Sequence, residues 1–515
     1  MGSAYGLVGG KVGLLAYTRH QLNDNVRAGG GETLPSTEGT RGSHLFKISV
    51  LEQDGHSLWA SAERNTNEGG YLRANMPWQT NNATQALDDQ LTTRDTLSLR
   101  HRYRPKGNDL IDLQTTVYTN DSQIELYGPN PTGGSRGGLW LTRSSGGDIR
   151  NTFNVSTGHW VHALTVGLDH FKDNGISDSP ADPRLSETAT NTGLYLQDRI
   201  EIENIRLSAG VRVDRYRTRY ANAYRTEGTE TSPNFSAEWD LLDSGSADLT
   251  VFAGVGQSIR GGKLNQAGWL TKYFLPPSYT VARPFTLSRN GILNPEVGQQ
   301  KQWGVKWHDH GVLTEGDHAG AEIAFFNTRI KDYQVVPGEG AGGVTDTIFN
   351  APGNITSRGF EIRSHWGTQQ WLVNATYSHS TVRNYDGQPM DTTGDSARVG
   401  VSVGDRLVLD TRWKLSPQWQ LGHTFTAVKQ LKDVPAGRPE KPGYSVHGLQ
   451  AVWLPQGNDS LTVTLGVDNL FDKFYAHHAT TRVTQASTTA TAVKGRVYAT
   501  PEPGRRVKVA LDWRF

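Results

Sequence analysis

The chain alternates apolar and polar residues with a period of two, and the alternation is clearest near its C-terminus. In 461–468, leucine or valine at every odd position alternates with threonine, glycine or aspartate. A second such segment, 506–515, ends the chain, and 205–214 repeats the pattern in the middle. A period of two places the two sets of side chains on opposite faces of a β-strand. These segments are therefore predicted to be strands.

The polar face of the last strand indicates what lies against the apolar face. Arg506, Lys508, Asp512 and Arg514 share the polar face of 506–515, opposite valine, leucine, tryptophan and phenylalanine. A face with so many ionised groups is in contact with water, so we assign the apolar face to lipid. The pattern favours a membrane-spanning β-barrel over a soluble sandwich.

Short turns and long polar segments separate the alternating stretches in regular succession. Clusters of glycine, proline, asparagine and aspartate mark the short turns, as in β-hairpins. They lie at 54–55, 105–108, 157–158, 203–204, 243–245, 308–315, 367–368, 416–417 and 455–458. The long segments are 20–42, 66–90, 122–147, 173–190, 219–231, 261–295, 334–353, 385–398, 433–442 and 476–503. This asymmetry predicts an all-β, transmembrane antiparallel β-barrel of about 20–22 strands, with long extracellular loops and short periplasmic turns.

Composition supports one large barrel. Hydrophobic residues make up only 35%, and no apolar run approaches the roughly 20 residues that a spanning helix needs. The 14 tryptophans, 18 tyrosines and 15 phenylalanines can supply interfacial girdles. The net charge of +1 gives no nucleic-acid signal, and the absence of cysteine excludes disulfides and thiolate metal sites.

The first ten residues depart from the hairpin order. Ser3 to Val8 reads as the stub of an early barrel strand, and Gly9-Gly10-Lys11 as one more short turn. Because a closed single-chain barrel normally has an even number of strands, we expect chain before this stub.

Two stretches carry a family resemblance. The segment 467–475, V-D-N-L-F-D-K-F-Y, is followed by a loop, P-E-P-G-R and a final strand ending in Phe515. This order resembles the C-terminus of TonB-dependent outer-membrane receptors. The strand 251–260 followed by a loop and Asn294-Pro295 is a looser match, with Val297 where leucine is common.

The resemblance carries several implications. It implies that 1–515 is the barrel domain of such a receptor, with the plug domain and the first strand absent. The family has 22 strands, and the resemblance covers strands 3 to 22. It implies a monomer that resides in the outer membrane of a Gram-negative cell, among its lipid and lipopolysaccharide. TonB would be contacted only through a plug segment that has no counterpart here.

The resemblance also implies a ligand, a ferric siderophore, and hence iron transport. A siderophore already fills the coordination sphere of the metal, so the receptor needs aromatic and cationic side chains and no metal ligands or cofactor of its own. The predicted long loops supply such residues. The candidates are Arg260, Trp269, Tyr273, Tyr279, Arg283, Tyr127, Trp140, Tyr385, Tyr475, His477 and His478.

Heme is the alternative ligand, followed by another metal chelate or cobalamin. Heme receptors of the family often carry a ligating histidine in the region that corresponds to 261–295, which contains none here. Tyr273 and Tyr279 could ligate iron, and His477-His478 is the other candidate. An alternative of another class is a passive, porin-like channel.

The sequence does not predict an enzyme. It contains neither G-x-S-x-G nor H-E-x-x-H. His308-Asp309-His310 falls in a predicted short turn. Carboxylates near histidine are expected by chance in a chain with 16 histidines, so no metal site is assigned there, although the pattern leaves one open.

Overall fold

The computed structural model describes residues 1–34, 37–71, 88–127, 138–179, 182–219, 225–261, 293–335, 349–390, 400–436, 440–483 and 497–514. Across these residues, 21 strands form one antiparallel sheet in which every strand pairs with its neighbour along the chain. No helix in these ranges is long and apolar enough to cross a membrane. The predicted barrel and its strand count are confirmed.

The 21 strands of the sheet are β1 (Gly2–Val8), β2 (Val12–Asn23), β3 (Gly39–Gln53), β4 (His56–Tyr71), β5 (Asp88–Tyr103), β6 (Leu113–Tyr127), β7 (Gly138–Thr157), β8 (Trp160–Ser179), β9 (Asp182–Ile202), β10 (Ile205–Arg219), β11 (Arg225–Asp243), β12 (Ala247–Arg260), β13 (Glu296–His310), β14 (His318–Lys331), β17 (Ile355–Gly367), β18 (Trp371–Arg383), β19 (Arg406–Lys414), β20 (Trp419–Val428), β21 (Tyr444–Trp453), β22 (Leu461–Asp468) and β25 (Arg506–Trp513). Two small separate sheets pair β15 (Gln334–Val335) with β16 (Phe349–Asn350) and β23 (Ala476–Val483) with β24 (Val497–Pro501).

Tight turns join the strands at one end of the sheet, which we call the short-turn end. Asp54 and Gly55 both have positive φ, 50° and 82°, as a two-residue hairpin turn requires. A Cβ at position 55 would lie 2.6 Å from the carbonyl oxygen of Arg104. Glycine is therefore required there for both conformation and space. The opposite end, where the long connections lie, is the long-loop end.

Several of the predicted loops are shorter than the sequence indicated, among them 219–231, where β10 continues to Arg219 and β11 begins at Arg225. Segments 122–147 and 173–190 were expected to be loops, but β6 continues to Tyr127, β7 begins at Gly138, and β8 and β9 reach Ser179 and Asp182. The extension pairs polar residues on both faces, such as Asp121 with Arg143. Strands that extend beyond a membrane need no apolar face, so the period of two is lost while the backbone pairing continues.

One face of the sheet is apolar and ends in a row of tryptophans. Strand alternation and cross-strand register put Leu465 next to Val509 on this face. Close to the short turns, the same face carries Trp160, Trp239, Trp307, Trp366, Trp371, Trp413, Trp419, Trp453 and Trp513. Trp371 stacks on Trp413 at 5.2 Å, and Trp419 stacks on Trp453 at 5.8 Å between ring centroids. This is the arrangement of an aromatic girdle at a membrane interface.

The other face is polar, and its charges pair across neighbouring strands. Arg206 of β10 contacts Glu238 of β11 at 3.2 Å, and Glu238 also accepts a hydrogen bond from Lys306 of β13 at 3.2 Å. Further along β10, Arg212 contacts Asp214 at 2.7 Å. The predicted charged inner face is therefore present, and the described part of its wall carries many paired charges.

The two outermost strands of the sheet are β1 and β25. Among the described residues, β1 pairs with β2 and β25 pairs with β22, and each has one paired edge. Their apolar side chains are strongly exposed, for example Tyr5 at 84% and Val507 at 75%.

Candidate functional site

The corner that follows β22 is held by one asparagine side chain. Asn469 Nδ2 donates hydrogen bonds to the carbonyl oxygens of Lys473 (2.9 Å) and Pro503 (3.2 Å). Its Oδ1 accepts the backbone N–H of Lys473 at 2.8 Å. Asn469 and Asp472 both have positive φ, 46° and 52°, a conformation that asparagine and aspartate tolerate better than most residues. This explains physically why the N-L-F-D sequence forms a compact corner.

The corner also meets the loop between β2 and β3. Gly504 donates its backbone N–H to the carbonyl oxygen of Arg27 at 2.8 Å. A Cβ on Gly29 would lie 2.3 Å from the carbonyl oxygen of Lys473, so only glycine fits this approach. At the long-loop end, the loop between β2 and β3 therefore contacts the last loop of the chain, which precedes β25.

His478 lies next to this corner, buried at 1% exposure. Its Nδ1 accepts the backbone N–H of Gly404 at 3.0 Å, so Nε2 carries the proton that it shares with the carbonyl oxygen of Pro442 at 2.9 Å. Lys441, equally buried, donates Nζ–H to the carbonyl oxygen of His478 at 2.7 Å. Burial lowers the pKa of His478, and the nearby Lys441 and His477 act in the same direction. The arrangement holds a neutral imidazole whose two nitrogens are both engaged.

His477 has a different environment from its neighbour. It is exposed at the long-loop end, and its Nδ1 accepts the backbone N–H of Ala479 at 3.1 Å. The two histidines that look equivalent in sequence are therefore one buried structural residue and one residue at the surface.

Tyr475 lines a depression on the polar face below the corner. Its ring lies 4.6 Å from that of Tyr444, and burial raises the pKa of its hydroxyl. The depression has a volume of about 550 Å³, and Glu502 and Arg506 also line it. Gly422 and Gly448, which have no side chains, also line the depression. An aromatic ring and charges of both signs in one depression suit an amphipathic organic ligand.

Arg260 forms part of a second group around the Asn294-Pro295 corner. Its Nε donates to Glu296 at 2.7 Å, and the other oxygen of Glu296 accepts the backbone N–H of Gln334 at 2.9 Å. Asn350 Nδ2 donates to the carbonyl oxygens of Asn294 (3.1 Å) and Asp332 (2.6 Å). Arg260 is therefore anchored, although half of its side chain remains exposed.

Tyr385 has a packing role. It lies against a buried apolar cluster formed by Tyr333, Ala351, Ile355, Val382 and Met390. The cluster supports the long-loop ends of β14, β17 and β18.

The remaining candidates are dispersed. Trp140 lies near the start of β7, paired in register with Ile124 of β6. Tyr127 ends β6. Trp269, Tyr273, Tyr279 and Arg283 lie outside the described residues. Of the predicted residues, the structure brings together Tyr475, His477 and His478, and it places Arg260 and Tyr385 in other groups.

Sequence reasoning missed Lys441, Tyr444 and Glu502, which complete the surroundings of His478 and Tyr475. Their positions in the sequence carry no motif. The one available signal was that Tyr444 begins a strand directly after Pro442-Gly443, at the same end of the sheet as the corner.

Comparisons with known proteins agree with this architecture. Residues 40–470 match the family model described as TonB dependent receptor-like, beta-barrel. The heme transporter BhuA of Brucella ovis is 23% identical over 490 residues, covering 92% of this chain and 66% of that protein. The TonB-dependent heme receptor A of Haemophilus ducreyi is 23% identical over 434 residues, covering 73% of this chain and 58% of that receptor.

A solved structure shows the same fold. The FrpB iron transporter from Neisseria meningitidis superposes with a TM-score of 0.78 at 18% identity, covering all of this chain and 79% of that one. Of the two curated relatives, the chain spans 66% of the Brucella ovis transporter and 58% of the Haemophilus ducreyi receptor, which is less than two thirds of each. Because the family model covers most of the chain, this protein belongs to the TonB-dependent receptor-like β-barrel family.

Proposed function

We propose that the chain is the barrel of an outer-membrane receptor that imports iron as a chelate, with energy supplied through TonB. Membership of the family supports this proposal, as do the polar inner face and the lipid-facing tryptophan girdle. The relatives are named as transporters and receptors, which favours a transporter over an enzyme.

Heme is the first candidate for the chelate. The curated relatives that match most of the chain are named as heme transporters or receptors. The observation that carries the proposal is the exposed position of His477 at the long-loop end, two residues along the chain from Tyr475, which lines the depression. Imidazole is a common axial ligand of heme iron, and aromatic rings pack against the porphyrin.

His477 is a better candidate ligand than His478. Iron ligation by His478 would break buried hydrogen bonds to Gly404 and Pro442. Ligation by His477 would break its bond to Ala479, which lies at the surface. Losing a buried hydrogen bond costs more than losing an exposed one. Ligation of heme iron by His477 is therefore less costly than ligation by His478.

A ferric siderophore is the second candidate. The segment 261–295 contains no histidine, and the half-exposed guanidinium of Arg260, although paired with Glu296, can still donate hydrogen bonds to an anionic chelate.

Optical titration of the folded full chain with hemin tests the first candidate. We expect a Soret shift that is lost in His477→Ala and retained in His478→Ala, provided that the latter remains folded. Retention of the shift in His477→Ala would remove His477 as the ligand. No Soret shift with the wild-type chain, together with tryptophan quenching by a ferric catecholate or hydroxamate, would transfer the assignment to a siderophore.

A further inference from the structure

Four histidines lie together at the short-turn end of three neighbouring strands. His308 and His310 end β13, His318 begins β14, and His365 lies near the end of β17. His310 is directly opposite His318 in the β13–β14 register. These positions are far along the strands from the long-loop end that holds the proposed ligand site.

All four side chains are on the polar face of the sheet. His308 and His310 alternate in phase with Lys306, which pairs with Glu238 on that face. His308 and His365 are both in register with Gly320, one on each side of it. Since cross-strand partners share a face, the histidines of β14 and β17 lie on the same side as those of β13.

Glycines make room for these rings. A Cβ on Gly320 would lie 2.4 Å from Cε1 of His365, and a Cβ on Gly367 would lie 2.5 Å from Cε1 of His318. With no side chain between them, His308 and His365 approach to 5.7 Å between ring centroids. The imidazoles therefore lie close together, because Gly320 and Gly367 place no side chain between them.

One of the ring separations matches that of two imidazoles on a shared metal ion, and the other two are somewhat longer. His308 lies 5.1 Å from His310, and His318 lies 5.9 Å from His365. With metal–nitrogen bonds of about 2.0–2.1 Å, two imidazoles on one tetrahedral ion have ring centres roughly 5 Å apart. Neutral imidazole suits Zn²⁺, Cu²⁺ and Ni²⁺.

The surrounding charges are compatible with a cation. Asp248 of β12 is directly opposite His308 in register and adds a negative charge beside the cluster. Lys306, two residues before His308 on the same strand, has its ammonium group 3.2 Å from Glu238, which offsets its repulsion. In the side-chain arrangement of the described residues, no group of three or more histidine, aspartate or glutamate side chains forms a metal site. Binding here therefore requires the rings to rotate toward a common point.

We propose that His308, His318 and His365, with His310 at the edge, assemble into a binding site for a divalent transition-metal ion on the inner face of the barrel. Rotation is sterically available because the four rings are partly or fully exposed at the ends of their strands. A bound ion would cross-link β13, β14 and β17 near the short turns. The site is separate from the proposed heme or siderophore site and does not depend on it.

Titration of the folded full chain with Cu²⁺, followed by electron paramagnetic resonance, tests the proposal. We expect a tight site with at least three nitrogen ligands. The variants His308→Gln and His365→Gln should each weaken Cu²⁺ binding by roughly tenfold or more, because each removes one of a small number of metal ligands. Gly320→Ala should weaken it as well, because it displaces His365 while all four histidines remain.

A matched control is available on the opposite face. His423 and His447 form a hydrogen-bonded pair with ring centroids 5.3 Å apart, on the same face as Leu421 and Leu449. The double variant His423→Gln, His447→Gln should leave the tight site unchanged. Folding of each variant is checked by the slower migration of unfolded barrel on unheated gels. A tight site that persists in His308→Gln and His365→Gln, or is lost equally in the control, would overturn the proposal. Hemin binding should be unaffected in His308→Gln, His365→Gln and Gly320→Ala, which separates this site from the one at the long-loop end.

Discussion

The carboxylate of Asp472 accepts the backbone N–H of Gly30 at 3.2 Å, although 442 positions separate the two residues. Its other oxygen accepts the backbone N–H of Arg505 at 2.8 Å. One side chain therefore ties the loop after β2 to the segment before β25. The first of these loops follows β2, which pairs with the outermost strand β1, and the second segment leads into the other outermost strand, β25.

Replacing Asp472 by asparagine should lower the thermal unfolding temperature. The hydrogen bonds from Arg505 and Gly30 hold the pKa of Asp472 below its usual range. Their contribution is therefore present above the unfolded-state pKa of about 3.9 and is lost as the pH falls through the lower folded-state value. The difference between wild type and Asp472→Asn should be full at pH 6 and should shrink below pH 4, as measured by tryptophan fluorescence melts.

Asp459→Asn is the matched control for this prediction. Asp459 contacts Arg514 at the short-turn end, and both side chains are largely exposed. An exposed pair contributes little, so the unfolding temperature should barely change. Equal effects of the two substitutions would contradict a special role for Asp472.

Leu465 is expected to face the hydrocarbon of the membrane. It lies on β22 between β21 and β25, with its side chain on the apolar face. Leu465→Arg should cost about 2–4 kcal/mol in unfolding free energy if the position is near the midplane. Thr464→Arg places the same side chain on the polar face one residue away and should cost much less. Equal costs in urea titrations of the chain folded into vesicles would argue against a lipid-facing surface.

The buried Glu296 should stabilise the Asn294-Pro295 corner. Its side chain is 5% exposed and contacts Arg260 and the backbone N–H of Gln334. Glu296→Ala leaves these donors without their acceptor, at a cost of about 1–3 kcal/mol. Glu361→Ala removes the partner of Arg363 in an exposed pair and should cost under about 1 kcal/mol. Chemical unfolding of both variants measures the difference.

Topology can be tested with two single cysteines, since the chain has none of its own. Ala479 lies on β23 at the long-loop end, and Leu313 lies in the turn after β13 with 72% exposure. On intact cells that carry the protein in the outer membrane, a membrane-impermeant maleimide should label Ala479→Cys and should label Leu313→Cys only after lysis. The reverse pattern would invert the topology.

Parts of this structure followed directly from local sequence. Alternation in 461–468 and 506–515 predicted the strands observed as β22 and β25, because alternation depends only on neighbours in the chain. The contact of Asp472 with Gly30 depends on how the whole sheet curves, so no local pattern reveals it. For the same reason, the sequence could not show that His478 is buried against Gly404 and Pro442 while His477 is exposed.

The strand count has a consequence for the direction of the two outermost strands. Among the strands that the structure describes, every neighbouring pair is antiparallel, so the first and the twenty-first, β1 and β25, run in the same direction. Antiparallel pairing between them is excluded by parity, whatever their distance. One strand of the opposite direction would pair with both and would satisfy the backbone groups that lipid cannot. Because Asp472 binds both the loop after β2 and the segment before β25, it would limit how far these two parts of the sheet can move apart when such a strand pairs.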